Sequence, residues 1–247
     1  MSIDDPFDGL LWETYEDFSS GALSPAQWKL REVTASDGST WRYQDPGATI
    51  TIDASVLEIR APKFERGHDT IQNFDNAKVL ILSERTFALP PGGSLVLAVD
   101  VAARRWGGSP ADFRDGFAAL NVVDFDTALI FDVIATGERH AAIHERLPRV
   151  GHSSFLHVID APFAAPATAP EQWHRLAVQL SAKERSARWL VDHECIYSVD
   201  SLPVMPTSVR IGPGLLTLRP LGPHGSTSVR GQGMLGRWRN FRVHSSG

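Results

Sequence analysis

Short runs of apolar and β-branched residues, broken every few positions by Gly, Pro, Asp or Ser, run through the whole chain and constrain it to sheet. Strands are expected at 41–44, 49–52, 56–60, 77–82, 95–103 and 116–123, and again at 155–159, 174–180, 187–192, 195–199, 208–211, 215–218 and 235–243. Nothing between them keeps an apolar stripe at helical period, so a sandwich or barrel is indicated and α/β layering is not. The acidic residues 1–11 read as a flexible lead-in. Residues 12–247 read as one domain, with the Ala/Pro-rich stretch 161–170 as a long crossover between sheets rather than a domain linker.

The stretch 129–148, LIFDVIATGERHAAIHERLP, is the centre of this pattern. Two apolar runs, 129–134 and 139–147, flank a turn that contains Gly137, which is a hairpin signal. The same hairpin carries Asp132, Glu138, His140, His144, Glu145 and Arg146 among aliphatic neighbours. His140 and His144 are four residues apart and must share a face. An even loop places them with Phe131 and leaves Asp132 and Glu145 on the other face; a one-residue shift brings Asp132 to the histidines. The sequence leaves both registers open.

Composition excludes several classes. The 247 residues are 43% hydrophobic, with no run of about eighteen apolar residues such as a membrane helix needs. The N-terminus is acidic where a secretory signal is basic and then apolar, so a cytoplasmic location is expected. One cysteine, Cys195, permits no intrachain disulfide framework. A net charge of −5 argues against nucleic-acid partners. There is no phosphate-binding Gly-rich loop and no Gly-x-Ser-x-Gly elbow.

Three stretches carry a resemblance. Residues 15–28 are similar to the acidic–Phe–Ser…Leu…Trp opening of many lectin-like sandwiches. Residues 171–199, EQWHRLAVQLSAKERSARWLVDHECIYSV, resemble their "Trp-His" strand followed by a strand ending in Val-Asp. GRWRNFRV at 236–243 resembles their closing strand. Together they resemble the concanavalin A-like lectin and glucanase superfamily, within it a bacterial family of unknown function. The resemblance implies an all-β jelly-roll β-sandwich of two curved antiparallel sheets with a ligand in a concave face. Family 16 glucanases in that superfamily carry Glu-x-Asp-x-x-Glu on one strand, and no such motif occurs here.

Function is therefore expected from the hairpin. The expectation is a cytosolic, cofactor-independent enzyme of specialised metabolism, a cyclase, isomerase or dehydratase acting on a largely apolar small molecule. His140, His144, Asp132 and Glu138 are the candidate catalytic groups, since imidazoles and carboxyls do acid/base work near neutrality. Arg146, Phe131, Trp106 and Glu145 are the candidate ligand-binding groups. The alternatives are a carbohydrate-binding lectin-like module and a divergent glycoside hydrolase. No metal site is expected: a zinc centre at His140, His144 and Glu145 fails on strand parity. A structural calcium near Asp112, Asp115, Asp124 and Asp126 is the one ion the pattern allows.

Overall fold

The computed structural model describes residues 7, 9–34, 38, 40–67, 76–109, 112–148, 151–160 and 163–247, apart from the side chains of Asn76 and Leu221. Most of the expected lead-in and the first two residues of the crossover lie outside them.

Among the described residues twenty strands follow one another in chain order. They begin with β1 (Glu13–Glu16), β2 (Trp28–Leu30), β3 (Glu32–Thr34), β4 (Thr40–Arg42), β5 (Thr49–Asp53) and β6 (Val56–Ala61). Next come β7 (Asn76–Ser83), β8 (Phe87–Ala88), β9 (Ser94–Trp106), β10 (Phe117–Asp124), β11 (Leu129–Ala135), β12 (His140–Arg146) and β13 (Phe155–Asp160). The chain closes with β14 (Trp173–Ser181), β15 (Ser186–Val191), β16 (Glu194–Val199), β17 (Ser208–Thr217), β18 (Leu221–Gly222), β19 (Gly225–Ser226) and β20 (Gly233–Ser246). A single 3-10 turn, Phe113–Asp115, is the one helical element among the described residues.

Sixteen of these strands form two antiparallel sheets, and β3–β4 and β18–β19 are separate two-stranded pairs. The first runs β16-β15-β14-β9-β20-β6-β5, with β1 also on β20; the second runs β13-β12-β11-β10-β17-β7-β2, with β8 on β17. Both sheets draw strands from before and after the 161–170 stretch. The hydrophobic period of two decides what goes between them. Ala118, Leu120 and Val122 of β10, Phe131 and Val133 of β11, and Leu97, Val99 and Val101 of β9 all meet in one central core. Two tryptophans of the first sheet reach across it. The indole N–H of Trp238 donates to the Ala119 carbonyl (3.0 Å), and that of Trp189 to the Ile143 carbonyl (3.1 Å).

The other face of the second sheet is apolar as well. Phe117, Ala119, Ile134, Ala141, Ile143 and Leu216 form a second cluster there, joined by Tyr43 and, less buried, Val33 and Trp41 from the β3–β4 hairpin region. That covering explains why β10, β11 and most of β12 read as near-continuous apolar runs.

The runs expected at 208–211 and 215–218 are one strand, β17, carried through Gly212-Pro213-Gly214. Strands β7 and β17 approach so closely at Gly212 that a Cβ would strike the Ile81 carbonyl oxygen.

Candidate active site

The hairpin is closed by Thr136. Its N–H donates to the Arg139 carbonyl (2.9 Å), and its hydroxyl accepts from the N–H groups of Glu138 (3.2 Å) and Arg139 (3.0 Å). Gly137 has φ 92°, and a Cβ there would collide with the Ala103 carbonyl, so only glycine fits. The loop sets the register: Ala135 opposes His140, Phe131 opposes His144 and Ile130 opposes Glu145. Opposed residues share a face. Of the two registers left open by the sequence, the structure adopts the face assignment of the even loop.

The inward face holds Phe131, His140, His144 and, at its edge, Arg146. His140 and His144 are 3% and 5% exposed, between the sheets and not at a cavity. His144 stacks on Phe131 (centroids 5.4 Å) and packs against Phe155 and Trp189. His140 meets His174 of β14 edge-to-face at 4.6 Å, and His174 Nδ1 lies 2.9 Å from Asp192 Oδ2. Desolvation by burial, with the neighbouring imidazole of His174 or His157 second, lowers each pKa to about 4. Among the described residues Nε2 of His144 has no hydrogen-bond partner. These histidines are core residues held neutral. Arg146 is tied to the Thr127 carbonyl (3.1 Å) and His152 Nδ1 (2.9 Å).

The outward face holds the other two ionisable groups. Asp132 and Glu145 sit on adjacent strands as diagonal neighbours, each 3% exposed. Asp132 Oδ1 accepts the N–H of Val122 (3.0 Å) from β10. Nothing among the described residues donates to Glu145. Burial raises both pKa values, Asp132 well above the ordinary carboxylate range and Glu145 to about 7, and the charge of Glu145 pushes Asp132 further up. Along β11 the outward neighbours of Asp132 at i±2 are Ile130 and Ile134. Ile130 stands two residues before Asp132 and Ala135 three after it, so this strand carries no Glu-x-Asp-x-x-Glu, and the second carboxyl on this face comes from the next strand.

Asp132 lines a recess of about 80 Å³ together with Asn121, Tyr43, Ile130, Leu147 and Leu216. Asn121 Nδ2 donates to the Gly212 carbonyl (3.0 Å), and the missing side chain of Gly214 leaves room for its amide. Arg31, Leu82, Val123 and Phe125 line both this recess and a neighbouring groove of about 470 Å³. Lys29, Glu32, Glu84, Asp124 and Arg210 continue the groove.

The remaining candidates lie elsewhere. Glu138 is exposed on the hairpin turn. Trp106 ends β9 in the first sheet, where its indole N–H is held by the Pro62 carbonyl (2.6 Å). Cys195, on β16, is exposed. Asp112 and Asp115 are bound by Arg219 (2.7 Å to each), and Asp124 accepts from its own turn. Among the described residues no three His, Cys, Asp or Glu side chains gather as a metal site. Sequence reasoning missed Asn121, Tyr43 and Arg31. A lone Asn inside the apolar run FAALNVVD was the one available signal.

Two antiparallel layers paired in this order define a jelly-roll β-sandwich. The solved structures similar to this chain agree. The endo-1,3-β-glucanase from Streptomyces sioyaensis matches at 12% identity with TM-score 0.55, over 96% of this chain and 95% of that one. The catalytic domain of an endo-1,3-β-glucanase (laminarinase) from Thermotoga petrophila RKU-1 matches at 13% and 0.58, over 96% and 98%. The Bacillus licheniformis β-glucanase matches at 12% and 0.53, over 97% and 99%. No curated protein matches the chain. Residues 15–247 match the model of a family of unknown function, DUF6081, and the chain belongs to that family.

The expectation of a cyclase, isomerase or dehydratase working on an apolar molecule is corrected by these findings. Its histidines are packed in the core, the open groove is lined by charged side chains, and the similar structures are glucanases.

Proposed function

We propose that the protein is a divergent glycoside hydrolase that holds a glycan across the outer face of the second sheet and uses Asp132 and Glu145 as its acid/base pair. The observation that carries this is the placement of two buried, mutually repelling carboxyls on one face, beside a groove. Diagonal cross-strand neighbours stand about 7–8 Å apart. Inverting glycoside hydrolysis, in which water attacks directly, uses carboxyl groups about 6.5–9.5 Å apart. Two such groups titrate as a unit, so one proton is shared over a range of pH. The protonated member gives its proton to the glycosidic oxygen as the bond to the sugar carbon breaks. The ionised member takes a proton from the water that attacks that carbon. The Val122 N–H orients Asp132 for this work.

The recess over Asp132 has room for two or three waters at about 30 Å³ each. A sugar ring enters only if Arg31, Phe125 or Tyr43 moves aside. The chemistry asks for no metal and no cofactor.

Release of reducing ends from β-1,3- and mixed-linked glucans tests the reading. Glu145→Gln and Asp132→Asn should each lower the rate by about 10²–10⁴-fold with melting temperature preserved. Full activity in both variants overturns it. A second reading, a lectin-like module, is favoured by Ile130 and Ile134 standing beside Asp132; glycan binding without hydrolysis by the wild type selects it.

A further inference from the structure

Arg31 stands where the groove meets the recess. Its backbone is fixed on both sides, the N–H donating to the Leu80 carbonyl (2.8 Å) and the carbonyl accepting from Tyr43 (2.9 Å). Its guanidinium lies over the Phe125 ring, 4.7 Å from the centroid. Among the described residues no carboxylate or carbonyl engages that guanidinium. Lys29, two residues earlier on β2, projects from the same face and is exposed, again with no carboxylate partner among the described residues.

The acidic side chains nearby are mostly engaged. Glu32 is paired with Arg42 (2.7 Å) and Glu84 lies 3.7 Å from Arg210. Asp124 accepts from the N–H groups of Asp126 (2.8 Å) and Thr207 (3.3 Å) and from the Thr127 hydroxyl (2.8 Å). The carboxyl pair does not use Arg31 either: the forces acting on Asp132 are burial, the Val122 N–H and Glu145.

We propose that the glycan bound here carries an acidic group, a uronate carboxylate or a sulfate ester, held at the mouth of the recess by Arg31 with Lys29 beside it. This rests on the reading of the face as a glycan site. A planar guanidinium presents paired N–H donors that match a carboxylate or sulfate. Seated on an aromatic ring, it is already partly desolvated and oriented, so binding costs it little further ordering. A carboxyl pair that shares one proton repels an incoming anion less than two ionised groups would.

The test uses the Glu145→Gln protein, so that binding is read without turnover. Laminarihexaose, the same oligomer oxidised to uronate at C6, and the same oligomer sulfated at O6 are titrated by calorimetry at low and high salt. At least one acidic form should bind tenfold or more tighter than the neutral form at low salt, and the margin should shrink as salt rises. Uronate above sulfate, or the reverse, identifies the source of the charge. Arg31→Ala and Arg31→Gln should each erase the margin, Lys29→Ala should reduce it, and Arg188→Ala on the first sheet should leave it unchanged. Equal or tighter binding of the neutral oligomer overturns this proposal and spares the hydrolase reading. A margin that survives both Arg31 variants, with the fold intact by circular dichroism, also overturns it. No binding of any of the three removes the glycan site itself and this proposal with it.

Discussion

Asp132, Glu145, His140 and His144 are alternating residues of one hairpin, and which way each faces decides its chemistry. The outward pair gains protons relative to the unfolded chain; the inward pair loses them. His144 fills an aromatic cage of Phe131, Phe155 and Trp189 and has an unpartnered Nε2. A phenyl ring suits that cage better than an imidazole, because it leaves no polar atom to desolvate. His144→Phe should therefore keep glucan hydrolysis within about twofold and raise the melting temperature at pH 5. A large loss of activity with the fold retained would return His144 to the site.

At the scale of the element, the close approach of β7 and β17 carries the outer face. Gly212→Ala pushes a methyl group into the Ile81 carbonyl, and both neighbours are backbone, so the strands must part. A loss of about 3 kcal/mol or more in denaturant unfolding is expected; a change under about 0.5 kcal/mol would mean the approach is looser than described. This strand also shows where the sequence stops being legible. Alternation and turn formers suffice for most strands, since period and punctuation are local. Gly212-Pro213-Gly214 has the local chemistry of a turn, and only the packing of β7, β10 and β17 makes it extended. The site was legible in part. The hairpin and six of its ionisable residues stood out, but strand parity needed the Thr136 loop, and loop length is the last thing a sequence reveals. Burial misled in the other direction: a polar ring costs free energy between two sheets, so His140 and His144 suggested a cavity. Arg31 and Asn121, far apart in sequence, carried no joint signal.

For the whole molecule, the opposed shifts predict an unusual acid–base profile. A lowered histidine pKa means the unfolded chain binds the proton first: that stability is present above about pH 6.5 and is lost as pH falls toward about 4. A raised carboxyl pKa has the opposite sign: its stability is full below about pH 4.5 and is lost as pH rises through about 7 for Glu145, with Asp132 in the same direction. Two groups of each sign overlap between about pH 4.5 and 6.5. Folding stability should be nearly flat there, and single substitutions should uncover the slopes. Glu145→Gln should lose stability on acidification, and His144→Phe on alkalinisation, each by up to about 1.4 kcal/mol per pH unit. Chemical denaturation at several pH values reads this directly; a steep wild-type slope across the window contradicts it.

The two indole N–H groups that cross the core, Trp189 to Ile143 and Trp238 to Ala119, supply a gauge of how the layers come apart. Fraying of an edge strand leaves both bonds intact. Their protons can trade with deuterated solvent only when one layer lifts from the other. In hydrogen exchange followed by NMR, both indole resonances should persist as long as the slowest backbone amides of β9 and β10, at the limit set by global unfolding. Earlier loss of the Trp189 signal alone would mean that the β11–β12 end, with its carboxyl pair, opens as a unit while the rest stays closed.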